Sequence, residues 1–171
     1  MIRYGINTKE LDSTISLISR LLGVRVTFFD ADGVELEMKS LQRMTEYCEI
    51  RRKDRLFNAR CVECDRKHLE RAKQSGKTSI YYCHDGLLEG IIPLYDIGGT
   101  YLGSIVFGQI RGEYDRKRNL PAKFARLYSR LPLFSYSKAV EIGTLLKYVS
   151  EYIIHSEIIK RRSLPWADRV E

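Results

Sequence analysis

The sequence predicts an α+β domain in which a five-stranded antiparallel sheet carries helices on one face. Three observations lead there. Helical periodicity opens the chain, runs of two-residue alternation separated by Gly-containing turns lie on either side of a polar middle segment, and a long stretch without Gly or Pro after Gly143 closes it. The 171 residues, 44% of them hydrophobic, suffice for one core.

Residues 8–22, TKELDSTISLISRLL, place Leu11, Ile15, Ile18, Leu21 and Leu22 at helical spacing, with Thr8 as N-cap and Gly23 as stop. VRVTFFDADGVELEMK then alternates around Asp32-Gly33, a dipeptide suited to the positive backbone angles of a tight hairpin, and predicts strands at 24–30 and 34–38. Between residues 40 and 76 strand signals stop. Residues 62–74 read as a helix ended by Ser75-Gly76, so the second and third strands are separated by a helical insertion. TSIYYCHDG, IIPLYDIGG and YLGSIVFGQIRG predict strands at 78–84, 89–97 and 101–111. Pro121 opens a helix that Pro132 ends. In the last segment Ile142, Leu145, Val149, Tyr152 and Ile159 approximate a seven-residue seam, with Ser156 its weak position. That seam fits either a two-helix coiled coil or a helix folded back on its own domain. The expected division is a main domain at 1–137, a C-terminal helix for dimerisation at 138–163, and at 164–171 the start of a linker to a further domain. Light scattering should then report a homodimer joined through the C-terminal helix.

The chain lacks both a run of 18 apolar residues and the regions of a signal peptide, so the expectation is a cytoplasmic protein without a membrane partner. A net charge of +7 is scattered over RRKDR at 51–55, DRKR at 115–118 and KRR at 160–162. A solvated basic surface is the simpler account, because no helix-turn-helix, finger or single-strand-binding motif accompanies the charge. Nucleophile elbow, phosphate-cradling loop and partnered carboxylate pair are also missing, so an enzyme is not expected, and GGTYLG at 98–103 reads as a hairpin turn.

All four cysteines and two of the three histidines fall between Cys48 and His84. Cys61 and Cys64 form a C-x2-C pair, with Cys48 and Cys83 standing 12 and 18 intervening residues away. Four thiolates could hold zinc or iron, and His68 or His84 could join them. The uneven spacing favours instead reduced cysteines lining a cavity. A redox pair would need the C-x2-C at a helix N-terminus. No cofactor is expected, with zinc the alternative through Cys48, Cys61, Cys64 and Cys83. Aromatic residues at Phe28, Phe29, Tyr47, Tyr81, Tyr82 and Phe107 could wall a small-molecule site, as the two-residue period turns one of each strand pair inward.

The succession FFDADGVEL, YCEIR, RCVECDRKH, YYCHDGL, IIPL and YLGSIVFGQIRG resembles the PocR sensory domain over about residues 8–160. The resemblance implies a PAS-like ligand-binding fold, an input domain joined to an AraC-type DNA-binding domain or a signalling kinase, and a small hydrocarbon derivative such as a diol as ligand. The matching positions are Cys48, Arg51, Cys61, Cys83, His84, Gly86, Pro93, Gly103, Gly108 and Gln109. Cys64 is an addition to that pattern. The expected ligand set is therefore Tyr47, Tyr82, His84 and Gln109 as polar contacts, Phe28 and Phe107 as apolar walls, Arg51 as anchor for a small acid, and Cys48, Cys61 and Cys83 around them. DNA would be reached only through an output domain outside this chain, whose closing PWADRVE resembles the linker into one.

Overall fold

A computed structural model describes residues 8–36, 43–113 and 120–163, the side chains of residues 8, 9, 157, 158 and 160–163 excepted. Residues 37–38 of the expected second strand, the basic side chains of 115–118 and 160–162, and the linker at 164–171 lie outside this description.

The elements are α1 (Thr8–Leu22), β1 (Arg25–Asp30), α2 (Glu46–Arg51), α3 (Arg55–Ser75), β2 (Ser79–Tyr82), β3 (Leu88–Tyr95), β4 (Tyr101–Gly112), α4 (Ala122–Ser129), β5 (Leu133–Phe134) and α5 (Tyr136–Ser163). The α+β class and the five-stranded sheet hold. Strands β1, β4, β3 and β2 pair antiparallel in that order, and the two-residue β5 adds to β4 in parallel. The Asp32-Gly33 turn forms as expected, with Gly33 at φ 77. Its return segment makes one bridge, Phe29 to Glu35, over the described residues 34–36, and β5 is the fifth strand of the described sheet.

Helices cover both faces of the sheet, which corrects the expectation of one. On one face α1 and α5 bury Leu11, Ile15, Ala139, Ile142, Leu146 and Ile153 against Val26, Phe28, Ile92, Ile105 and Phe107. On the other, Leu69 and Ala72 of α3 meet Tyr81 and Ile91, with Phe29 and Val106 packed against them. The physical reason lies in β3 and β4, whose residues are buried almost without alternation, the pattern of a strand covered twice.

The seam of α5 divides for the same reason. Ile142 is buried and Val149 packs against the core, whereas Leu145, Tyr152 and Ile159 are exposed, so the helix lies back on its own sheet. No described helix is long and apolar enough to cross a membrane.

Candidate functional site

The site is the space between the sheet and α3. Asp54 caps α3 by accepting the Phe57 N–H at 2.7 Å, and Gly76 ends it in left-handed backbone at φ 65. The helix starts at Arg55, earlier than residue 62, which places Cys61 and Cys64 in its second and third turns. A thiol there is beyond the reach of the N-terminal dipole, so the geometry a redox pair requires is absent from these two cysteines.

Three adjoining cavities lie beneath α3, and Arg52 and Asp65 border all of them. The inner one is small, about 30 Å³, room for about one water, and is lined by Arg25, Glu35, Tyr81, Glu89 and Gln109 among others. A wider cleft of about 660 Å³ opens from it to solvent past Phe29, Asp32, Glu70 and Lys73. The third, about 20 Å³, is lined by all four cysteines with His84, Glu89 and Gln109. The cleft has the volume a small molecule needs, with the two small cavities as polar recesses behind it.

Arg52 and Asp65 pair at 2.9 Å, and Arg25 pairs with Glu35, which also accepts from Thr27 Oγ1 at 2.6 Å. Glu89 accepts the Tyr81 hydroxyl at 3.0 Å. Its carboxylate faces the cavities but lies deep under α3, and that burial, aided by the Asp65 charge, pushes its pKa from 4.5 to about 7. Burial also holds Asp65 above the usual carboxylate range despite Arg52, and Tyr81 far above the usual phenol range. His68 stacks on the Tyr81 ring with centroids 3.6 Å apart, fixing it from the helix side.

The expected site residues divide. Cys48, Cys61, Cys83, His84 and Gln109 meet around the third cavity, and Cys61 Sγ lies 3.1 Å from His84 Nε2. Burial pushes the Cys48 thiol up to about 12 and raises Cys61, Cys64 and Cys83 as well. Although the four sulfurs share this wall, among the described residues no three His, Cys, Asp or Glu side chains converge as a metal site requires. Tyr47 and Arg51 stand behind the site. The Tyr47 hydroxyl donates to Asp85 at 2.6 Å and Arg51 reaches Asp85 at 3.5 Å, so both clamp the Cys83–Leu87 turn to α2. Its guanidinium also stands 4.1 Å from the Phe57 ring centroid, so Arg51 is engaged by Asp85 and Phe57.

Phe28 and Tyr82 are corrections. Phe28 packs into the core under α1 and α5, and Tyr82 is 43% exposed. Their neighbours Phe29 and Tyr81 face the cavity instead. Phe107 borders the inner cavity beside Val106, while its ring also fills the place a Gly90 side chain would take. Arg52, Asp65 and Glu89 were not anticipated. The signal for Glu89 was a lone carboxylate within LLEGIIPL, an otherwise apolar strand.

Comparison with known proteins bears on what this site belongs to. The chain is 23% identical to the regulatory protein PocR of Salmonella typhimurium over 164 residues, which cover 90% of this chain and 53% of that protein. It thus spans about half the length of this curated relative. A sensory box sensor histidine kinase from Vibrio cholerae is similar in structure with a TM-score of 0.37 and 13% identity, over 62% of this chain and 96% of that one. Residues 5–158 match the family described as the sensory domain found in PocR, and the chain belongs to that family.

Proposed function

We propose that this sensory domain binds a small organic molecule in the space between its sheet and α3, and that occupancy is passed to α5. The polar cavities that Arg52 and Asp65 border beneath α3 carry this reading. Buried polar groups around empty volume are costly unless something satisfies them, and a ligand with a few hydrogen-bonding atoms does so. Strand β3 links the site to the output helix. Glu89 and Ile91 face the α3 side, while Ile92 and Leu94 pack in the cluster that contains α5. A ligand that prefers one seating of α3 shifts that equilibrium by its difference in affinity for the two states.

The exposed Leu145, Tyr148 and Tyr152 of α5 offer an apolar stripe on which a second copy could dock, giving a dimer whose helices carry the signal onward. In the intact protein an attached domain would supply any contact with DNA, and the setting would be cytoplasmic. Thermal melts of the chain with diols, small carboxylates and methylated amines test the reading. A ligand at about 100 times its dissociation constant stabilises the fold by about 2.7 kcal/mol, and a flat response across the whole panel would sink it.

A further inference from the structure

We infer that the molecule received beneath α3 is a small cation, a primary amine or methylated ammonium ion, held by Glu89 beside the aromatic rings of Phe29 and Tyr81. The inference rests on the proposed ligand-binding reading and narrows it to one class of ligand.

The charges around the inner cavity are Arg25, Glu35, Arg52, Asp65 and Glu89. Both cations are spent: Arg25 on Glu35, Arg52 on Asp65. Glu89 is left with the neutral Tyr81 hydroxyl and forms no ion pair among the described residues. Phe29 and Tyr81 line the same cavity, and aromatic rings add attraction for a desolvated cation.

Glu89 is also built into place. Its Cγ lies where a Gly108 side chain would stand, 2.6 Å from an added Cβ, so the absence of a side chain at 108 is what lets the carboxylate lie against β4.

The approach to the cavity favours the same sign. With the ion-paired groups set aside, Glu35 on Arg25, Asp65 on Arg52 and Arg66 on Glu63, the outer cleft keeps two carboxylates, Asp32 and Glu70, against one cation, Lys73. This acidic balance occurs in a chain of net charge +7. An anion entering here would find both inner guanidiniums engaged and Glu89 opposing it.

Binding of a cation draws Glu89 to its ionised form, so a proton leaves as the ligand enters and affinity rises with pH across the neutral range. The other groups facing Glu89 are Arg25, Arg52, Asp65, Tyr81, the four cysteines and His84. Burial holds the thiols and Tyr81 protonated through that range and pushes His84 below its ordinary value, which leaves the two raised carboxylates, Glu89 and the Arg52-paired Asp65, as the groups that can release the proton.

Titration calorimetry of the 171-residue chain decides the matter, with methylammonium, ethanolamine and tetramethylammonium as cations, ethylene glycol and neopentyl alcohol as neutral counterparts, and acetate as anion. The expected result is that a cation binds about tenfold or more tightly than its neutral counterpart. Acetate should not bind, and buffers of different ionisation heat should show net proton release. Tetramethylammonium keeps its charge at every pH, so any rise in its affinity from about pH 6 to about pH 8 reports the protein. Glu89→Gln should abolish the preference for the cation. If that variant does not fold, the proton count and the cation-to-neutral ratio of the unmodified chain decide alone. Neutral probes that bind at least as well as the cations would overturn the cation while leaving the ligand site standing. Silence from every probe would overturn the cation and count against the site itself.

Discussion

Gln109 Oε1 accepts the backbone N–H of Thr45 at 2.7 Å, tying β4 to the residue that precedes α2. Gln109 sits in left-handed backbone at φ 62, within an irregularity where Gly108 and Gln109 together oppose Glu89. The bulge therefore turns this side chain toward the cavities while it holds the helical insertion. Gln109→Ala leaves the Thr45 N–H without its acceptor and should destabilise the fold by about 1–2 kcal/mol in urea unfolding. Amide exchange at Thr45 should accelerate, which a purely packing role for Gln109 would not produce.

Glu89 gives the fold a pH dependence opposite to that of an ordinary ion-paired acid. Its pKa is raised from 4.5 to about 7, so the folded state binds more protons than the unfolded one between those values. Stability from this group is thus greatest in acid and declines as pH rises through about 7, by an amount on the order of a few kcal/mol. Glu89→Gln, which can still accept the Tyr81 hydroxyl, should flatten that slope and raise the melting temperature at alkaline pH. An unchanged slope in the variant would show that another group titrates.

Gly90 marks where the two layers behind β3 meet. A side chain there would stand 2.2 Å from Phe107 Cε1 and 2.8 Å from Ile80 Cδ1, both in the core under α5. Gly90→Ala should cost about 1–3 kcal/mol through overpacking, read as a lower urea midpoint with unchanged slope. A neutral outcome would mean that the Phe107 ring moves freely.

How far the sequence could be read is visible in which neighbour it chose. Periodicity located α1 to the residue and β2, β3 and β4 within a few, because a helix with one wet face and turns rich in Gly carry local signals. Phe28 and Tyr82 were each taken for the cavity where Phe29 and Tyr81 stand. Both are displaced by one residue, hence by one face. On a sheet covered on both sides either parity is apolar, so alternation cannot say which side holds the ligand space. Arg51 and Arg52 failed in the same way around α2, one turned to Asp85 and the other to Asp65. The cysteines stood out by their clustering, and Gln109 came from the resemblance to the PocR pattern. Arg52, Asp65 and Glu89 look like surface charges until α3 is folded over them.

The thiols should be slow and metal-free. Burial raises all four, Cys48 to about 12, so few thiolates exist at pH 8 in the folded chain. Ellman's reagent should label all four slowly in the folded chain, Cys64 ahead of the buried Cys61, and react rapidly only on unfolding. Elemental analysis of protein purified without chelator should find zinc and iron well below one equivalent. A stoichiometric metal would instead require the cysteine wall to close around it.

The outer face of α5 should join two copies of the chain. Its inner face is committed to the sheet through Ala139, Ile142, Leu146 and Ile153, while Tyr148 is 68% and Tyr152 75% exposed, with Leu145 beside them one turn back. Side chains this large and apolar on a helix already anchored to its own domain present a rigid stripe, and a stripe that matches its own copy closes under two-fold symmetry without leaving a free edge. Light scattering should give twice the 19.9 kDa chain mass, and replacing both Tyr148 and Tyr152 by Glu should return it to one chain with little change in the melting temperature, since neither ring belongs to the core. A single-chain mass for the unmodified protein at high concentration would refute the dimer, and signalling through α5 would then have to run within one chain, from β3 across the Ile92 and Leu94 contacts.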